Sequence, residues 1–158
     1  MLTRTLLCVL LVSLVALPLF AQSEQYGTPV TADVAKKVAA AAIVEAKKNN
    51  LTMAIAVVDP NGFLVYFEKM DNTQNGSVNV AQDKARSAAL FKRPTKVFQD
   101  GLAAGGEGWR LLALQGAVPV EGGIPLIVGG KIVGAVGASG GTSVQDGQVA
   151  KAGADSLK

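Results

Sequence analysis

Thr52-Met53-Ala54-Ile55-Ala56-Val57-Val58-Asp59-Pro60-Asn61-Gly62-Phe63-Leu64-Val65-Tyr66-Phe67-Glu68-Lys69-Met70 holds two apolar runs rich in Val, Ile and aromatic residues, parted by Asp-Pro-Asn-Gly. Such runs prefer the pleated conformation, and Pro followed by Asn-Gly makes a tight turn. The stretch therefore predicts a β-hairpin, with a strand over 52–58 and its return over 63–70. Helical signals lie on both sides. Upstream, Thr31 stands as a cap, with Asp33 in the first turn, Val34 and Val38 at helical spacing, alanine filling, a basic last turn at Lys47-Lys48 and a stop at Asn49-Asn50. Downstream, after the polar loop 71–76, Val80, Lys84, Ala88 and Phe91 space out a second helix that ends at Lys92-Arg93-Pro94.

Thr95 is placed to cap a short helix through Phe98. Gly101 to Gly108 reads as loose chain, and Trp109 to Leu114 is apolar enough to dock as a turn of helix or a strand. Ala117-Val118-Pro119-Val120, Ile124 to Val128 and Lys131 to Gly137 read as three strands, the last two joined by a Gly129-Gly130 hairpin turn. A final helix follows, capped by Thr142 or Ser143 and carrying Val149, Ala150 and Leu157. Runs of strands between helices, rather than alternating βαβ units, predict an α+β domain in which helices pack on an antiparallel sheet. No internal repeat is present.

The 158 residues suit one domain, and their composition excludes several chemistries. There is no histidine and a single cysteine, Cys8. Ser-His-Asp and Cys-His nucleophile systems, imidazole zinc sites and the usual proximal haem ligand are therefore unavailable. Gly137-Ala138-Ser139-Gly140-Gly141 matches a nucleophile-elbow pattern, but Ser139 has no base, so the pattern reads as a glycine-rich strand end. The net charge of +3, from 15 basic and 12 acidic residues, forms no dense basic stripe, a poor footprint for nucleic acid. Binding ranks above catalysis because the side chains that usually carry catalysis are mostly missing. Whether the chain is an enzyme stays open.

Met1 to Ala21 reads as a signal peptide. Arg4 precedes the apolar run Leu6 to Leu17, too short for a stable membrane span, and Pro18 to Ala21 offers a cleavage site after Ala21. Residues 22–30 read as a flexible lead-in and 31–158 as the single domain. The expectation is an exported, periplasmic or extracellular protein without a membrane span after cleavage.

Three segments qualify as a ligand site. Lys84 falls on the apolar face of its helix, where it either snorkels to solvent or faces a ligand anion. Gly122 and Gly123 let backbone approach another strand or a ligand. Ser139, Gly140 and Gly141 precede the last helix, whose amides favour an anion, and Asp146 near that start favours the helix dipole. If the three converge, they make a seat for a carboxylate.

The hairpin turn, Ala81-Gln82-Asp83-Lys84-Ala85 with Phe91 and Pro94-Thr95, Gly122-Gly123-Ile124-Pro125, and Gly134 to Gly141 with Gln145-Asp146 together resemble the GlcG/HbpS family over residues 31 to 158. The resemblance implies a profilin-like three-layer α/β/α fold, a five-stranded antiparallel sheet and homo-oligomers. It also implies haem or another tetrapyrrole as ligand, since family members related to PduO-type C-terminal domains bind or degrade haem. Others are accessory proteins of small-acid operons, so a module binding a small carboxylate such as glycolate, or a noncatalytic assembly protein, is the alternative. Ser87 stands where the family often has threonine. Haem held without histidine leaves Met53, Met70, Tyr26, Tyr66, a lysine or no ligand for iron; Tyr66 and Met70 sit at even spacing and share a face.

Overall fold

The computed structural model describes residues 24–158. The signal-peptide reading of Met1 to Ala21 lies outside the described residues.

In chain order the elements are β1 (Gln25–Tyr26), α1 (Ala32–Lys48), β2 (Ala54–Val58), β3 (Leu64–Lys69), α2 (Ser77–Leu90), α3 (Lys96–Ala103), a 3-10 helix (Gly106–Ala113), β4 (Gly123–Val128), β5 (Lys131–Ser139) and α4 (Ser143–Asp155). The hairpin forms as its sequence predicts. Asp59 Oδ1 accepts from the Asn61 and Phe63 amides at 2.8 and 2.9 Å, and Gly62 supplies the left-handed φ of 81°. The helix signals also act where they stand. Thr31 Oγ1 accepts from the Val34 amide, and Thr142 forms a capping box with Gln145.

The sheet has five strands. β2 pairs antiparallel with both β3 and β5, and β4 pairs antiparallel with the other edge of β5. The fifth strand is β1, which pairs in parallel with Lys131 and Ile132. Gln25 and Tyr26, expected in a flexible lead-in, are thus tied into the sheet, with Gly27 and Val30 amides extending the contact to Ile132 and Val133 carbonyls. Ala117 to Val120, expected as a strand, is not one. Pro119 has no N–H for a ladder, and the Val118 amide donates instead to Ser87 Oγ at 3.1 Å.

Helices cover both faces of the sheet. Ile55 and Val57 of β2 pack with Leu126, Val136 and Ala138 against α1 and α4, whereas Ala54, Ala56 and Val58 meet Ala81, Ala85, Ala88 and Ala89 of α2. Alternation along β2 thus feeds two cores, which is why its whole run is apolar. The α2 layer is almost entirely methyl groups, so the helix rides close. A Cβ on Gly137 would lie 2.0 Å from the Ala81 carbonyl oxygen and 2.6 Å from the Ala85 nitrogen.

The start and length of α3 differ from the expectation. Thr95 does not cap through its side chain; it adopts a helical conformation, its hydroxyl accepts from the Gly123 amide at 2.9 Å, and α3 continues to Ala103. Of the two forms expected for Trp109 to Leu114 the helical one occurs: it lies largely in the 3-10 helix, which packs on α3 through Gly108 and Leu111 and leaves Trp109 67% and Leu112 70% exposed. Among the described residues no helix is long and apolar enough to cross a membrane.

Candidate functional site

Lys84, Gly122, Gly123, Ser139, Gly140, Gly141 and Asp146 do meet in space. Lys84 reaches neither solvent nor an open cavity, however: it is fully buried, and its ammonium donates to Asp146 Oδ2 at 2.6 Å and to the Ala138 carbonyl at 3.2 Å. Asp146 Oδ1 accepts from the Gly140 and Gly141 amides at 3.1 and 2.9 Å. Besides lying at the start of α4, Asp146 therefore ties α2, the end of β5 and α4 together.

Gly122, at φ 129°, closes this cluster. A Cβ there would stand 2.9 Å from Lys84 Nζ and 2.8 Å from Asp146 Cβ. Ser139 is also buried, with its hydroxyl on Ser77 Oγ at 3.1 Å. Burial pushes the Asp146 carboxyl above its ordinary value, a shift that the Lys84 hydrogen bond and charge and the two glycine amides oppose. The anion held by the lysine and the amides is the protein's own carboxylate. The feature that motivated a small-acid ligand is thus satisfied internally.

Open space lies on the outer side of the same wall. A cavity of about 500 Å³ is lined by Ile124, Pro125 and Ile127 of β4, Ala154 and Asp155 of α4, and the cations Lys92, Arg93, Lys151 and Lys158. A recess of about 230 Å³ shares Pro94, Ile124 and Lys151 with it and is bordered by Gly122 and Gly123. Together they form a groove with an apolar floor and a basic rim. Lys92 takes a left-handed φ of 54° after the end of α2, and Pro94 then turns the chain into α3, which places Lys92 and Arg93 at the rim. Residue spacing along α4 brings Lys151 and Asp155 to it one turn apart, and Lys158 follows. Of these groove residues the sequence singled out Pro94, Gly122, Gly123 and the neighbouring Ile124-Pro125, and none of the cations as part of a site. Their signal is two separate basic clusters, which only folding joins.

Of the other candidate ligands for iron, Met53, Tyr66 and Met70 stand apart from this groove, and Tyr26 borders it, its ring centre 4.4 Å from the Lys92 ammonium. Met53 is fully buried in the core. Tyr66 donates its hydroxyl to Glu68 at 2.8 Å, and Met70 lines a cavity of about 330 Å³ with Ile43, Lys47, Lys69 and Asp71. The Tyr26 hydroxyl donates to the Ala89 and Leu90 carbonyls at the end of α2. Among the described residues no three carboxylates, thiols or imidazoles cluster as a metal site would need.

The class of protein is a three-layer α+β domain with a buried lysine–carboxylate pair behind a glycine wall, and its relatives make that class specific. The family described as "Haem degrading protein HbpS-like" matches residues 30–155. Protein GlcG of Escherichia coli K12 is 40% identical over 106 residues, 67% of this chain and 78% of its own length. A double mutant of Streptomyces reticuli HbpS superposes with a TM-score of 0.76 at 30% identity, covering 85% of this chain and 90% of that one. A PduOC–haem complex shares the fold at 23% identity, with a TM-score of 0.75 and coverage of 83% and 96%. The chain belongs to the HbpS-like family.

Proposed function

We propose that this chain is an exported haem-binding protein that seats the tetrapyrrole in the groove between β4 and α4. The observation that carries the reading is the pairing of an apolar floor, Ile124, Pro125, Ile127 and Ala154, with four cations on one rim. A flat apolar ring bearing carboxylates asks for that combination, because its ring gains from burial while its acid groups need charge-assisted donors. The family description, which names a haem-degrading protein, supports the same ligand.

The residues fit the porphyrin and its acid groups. For the metal, the groove offers lysine amines and the carboxylates of Glu24 and Asp155, and no imidazole, thioether or phenol. Haem when bound supplies a redox-active iron. The chain's own part is to bind and orient: Lys92, Arg93, Lys151 and Lys158 hold carboxylates, and the β4 side chains exclude water from one ring face. Export is read from the apolar run Leu6 to Leu17, and assembly into oligomers from exposed Val97, Trp109, Leu112 and Leu114.

Titrating the mature chain with haemin tests the reading. A saturable Soret shift near one-to-one stoichiometry is expected. The double variant Lys92→Gln/Arg93→Gln should weaken binding about tenfold or more, as loss of charge-assisted hydrogen bonds does. Absence of a saturable shift removes the proposal, and unchanged affinity in the double variant moves the ligand to another site.

A further inference from the structure

The four cations on the groove rim are in two different states. Lys92 and Arg93 have no carboxylate within ion-pair distance among the described residues. The Lys92 ammonium lies 4.4 Å from the centre of the Tyr26 ring, while Arg93 lies 5.8 Å from the centre of the Phe98 ring and donates Nε–H to the Phe91 carbonyl at 2.9 Å. Lys151 and Lys158, by contrast, both pair with Asp155, one on each carboxylate oxygen. Asp155 thereby fills the position in which those two lysines would hold an anionic group of a ligand.

We propose that Asp155 is an internal stand-in for a ligand carboxylate, and that the groove takes an amphiphilic dicarboxylate whose one acid group goes to Lys92 and Arg93 while the other displaces Asp155 from Lys151 and Lys158. The inference rests on the haem reading above and names the selectivity of that same groove. Displacement is energetically easy. Both pairs are short-range helix-surface contacts with largely exposed lysines, and such pairs stabilise little. Asp155 also stands in the last turn of α4, where the negative end of the helix disfavours a carboxylate. A ligand that brings its own carboxylate recovers both lysine contacts on leaving Asp155 to water. A neutral ligand has no means to do so, and Asp155 then keeps its place on the two lysines.

The test compares haemin with haemin dimethyl ester, which keeps the ring and iron and lacks free carboxylates. In Asp155→Asn the lysines are released and the competing negative charge is gone, so haemin should bind roughly two- to fivefold tighter, the size set by exposed ion pairs. The diester should bind wild type and Asp155→Asn alike. Lys151→Gln should weaken haemin and leave the diester unchanged. Unchanged or weaker haemin binding in Asp155→Asn overturns the inference, as does equal tightening of both ligands, which would point to a rearranged helix end. Haemin binding that responds to Lys92→Gln/Arg93→Gln but not to Asp155→Asn overturns the stand-in role alone and keeps the groove. No haemin binding by wild type overturns both.

Discussion

Lys84 and Asp146 form an ion pair at 2.6 Å with both side chains buried. A lysine that snorkels can be cut back at little cost, whereas a buried one leaves its partner charged and unpaired. Lys84→Ala should therefore destabilise the fold by about 3–5 kcal/mol, read from urea midpoints. Replacing both members by apolar residues, Lys84→Met with Asp146→Leu, should recover most of that loss, because no lone charge is left inside; a double variant as unstable as the single would mean that the pair acts through packing alone. The pH dependence follows from the direction of the Asp146 shift. Its carboxyl in the folded protein titrates above the unfolded value near 3.8, so the folded state binds that proton more tightly. Its contribution to stability is complete below the unfolded value and declines as pH rises through the folded one. Relative to Asp146→Asn, the wild type should lose stability as pH increases from about 4, and parallel curves would refute the assignment.

At the scale of elements, the decisive contact is α2 on β5. Helix–sheet packing through alanine and glycine brings backbone against backbone, and this closeness lets Lys84, leaving α2, reach Asp146 across the end of β5. Gly137→Ala should therefore cost about 1–3 kcal/mol through overpacking, since the added methyl meets helix backbone that cannot move aside. Gly76→Ala is the matched control. Gly76 has helical φ and ψ of −58° and −28°, and its Cβ would meet nothing within 4 Å, so stability should be unchanged or rise by about 0.4–1 kcal/mol. If both variants lose stability equally, close approach is not what selects glycine in β5. Thr95 is the other junction: by accepting from Gly123 it fastens the start of α3 to β4, which holds the groove wall beside Pro94.

For the whole molecule, the proposal of export rests on the apolar run Leu6 to Leu17 and that of assembly on the exposed side chains of Val97, Trp109, Leu112 and Leu114. The protein recovered from a cell-envelope fraction should begin at Gln22, as checked by N-terminal sequencing, and the mature chain should sediment as an oligomer. An intact Met1 terminus or a clean monomer would reject the respective reading. The sequence by itself determined what local chemistry controls. The Asp-Pro-Asn-Gly hairpin, the caps at Thr31 and Thr142 and the Gly129-Gly130 turn act within a few residues of themselves, and the missing histidine excludes chemistry wherever the chain goes. It also marked Lys84, Gly122, Ser139 and Asp146 as candidates for one seat. Only the tertiary structure decided that the seat's anion is Asp146, 62 positions from Lys84, because burial and pairing are properties of the packed layers. The two-residue β1 and the nonstrand Ala117 to Val120 were decided there too: one pairs only because β5 offers it an edge, and the other gives its Val118 amide to Ser87 on α2. The groove itself exists only where the turn after α2 and the end of α4 bring Lys92-Arg93 and Lys151-Lys158, far apart in the chain, to one rim beside β4.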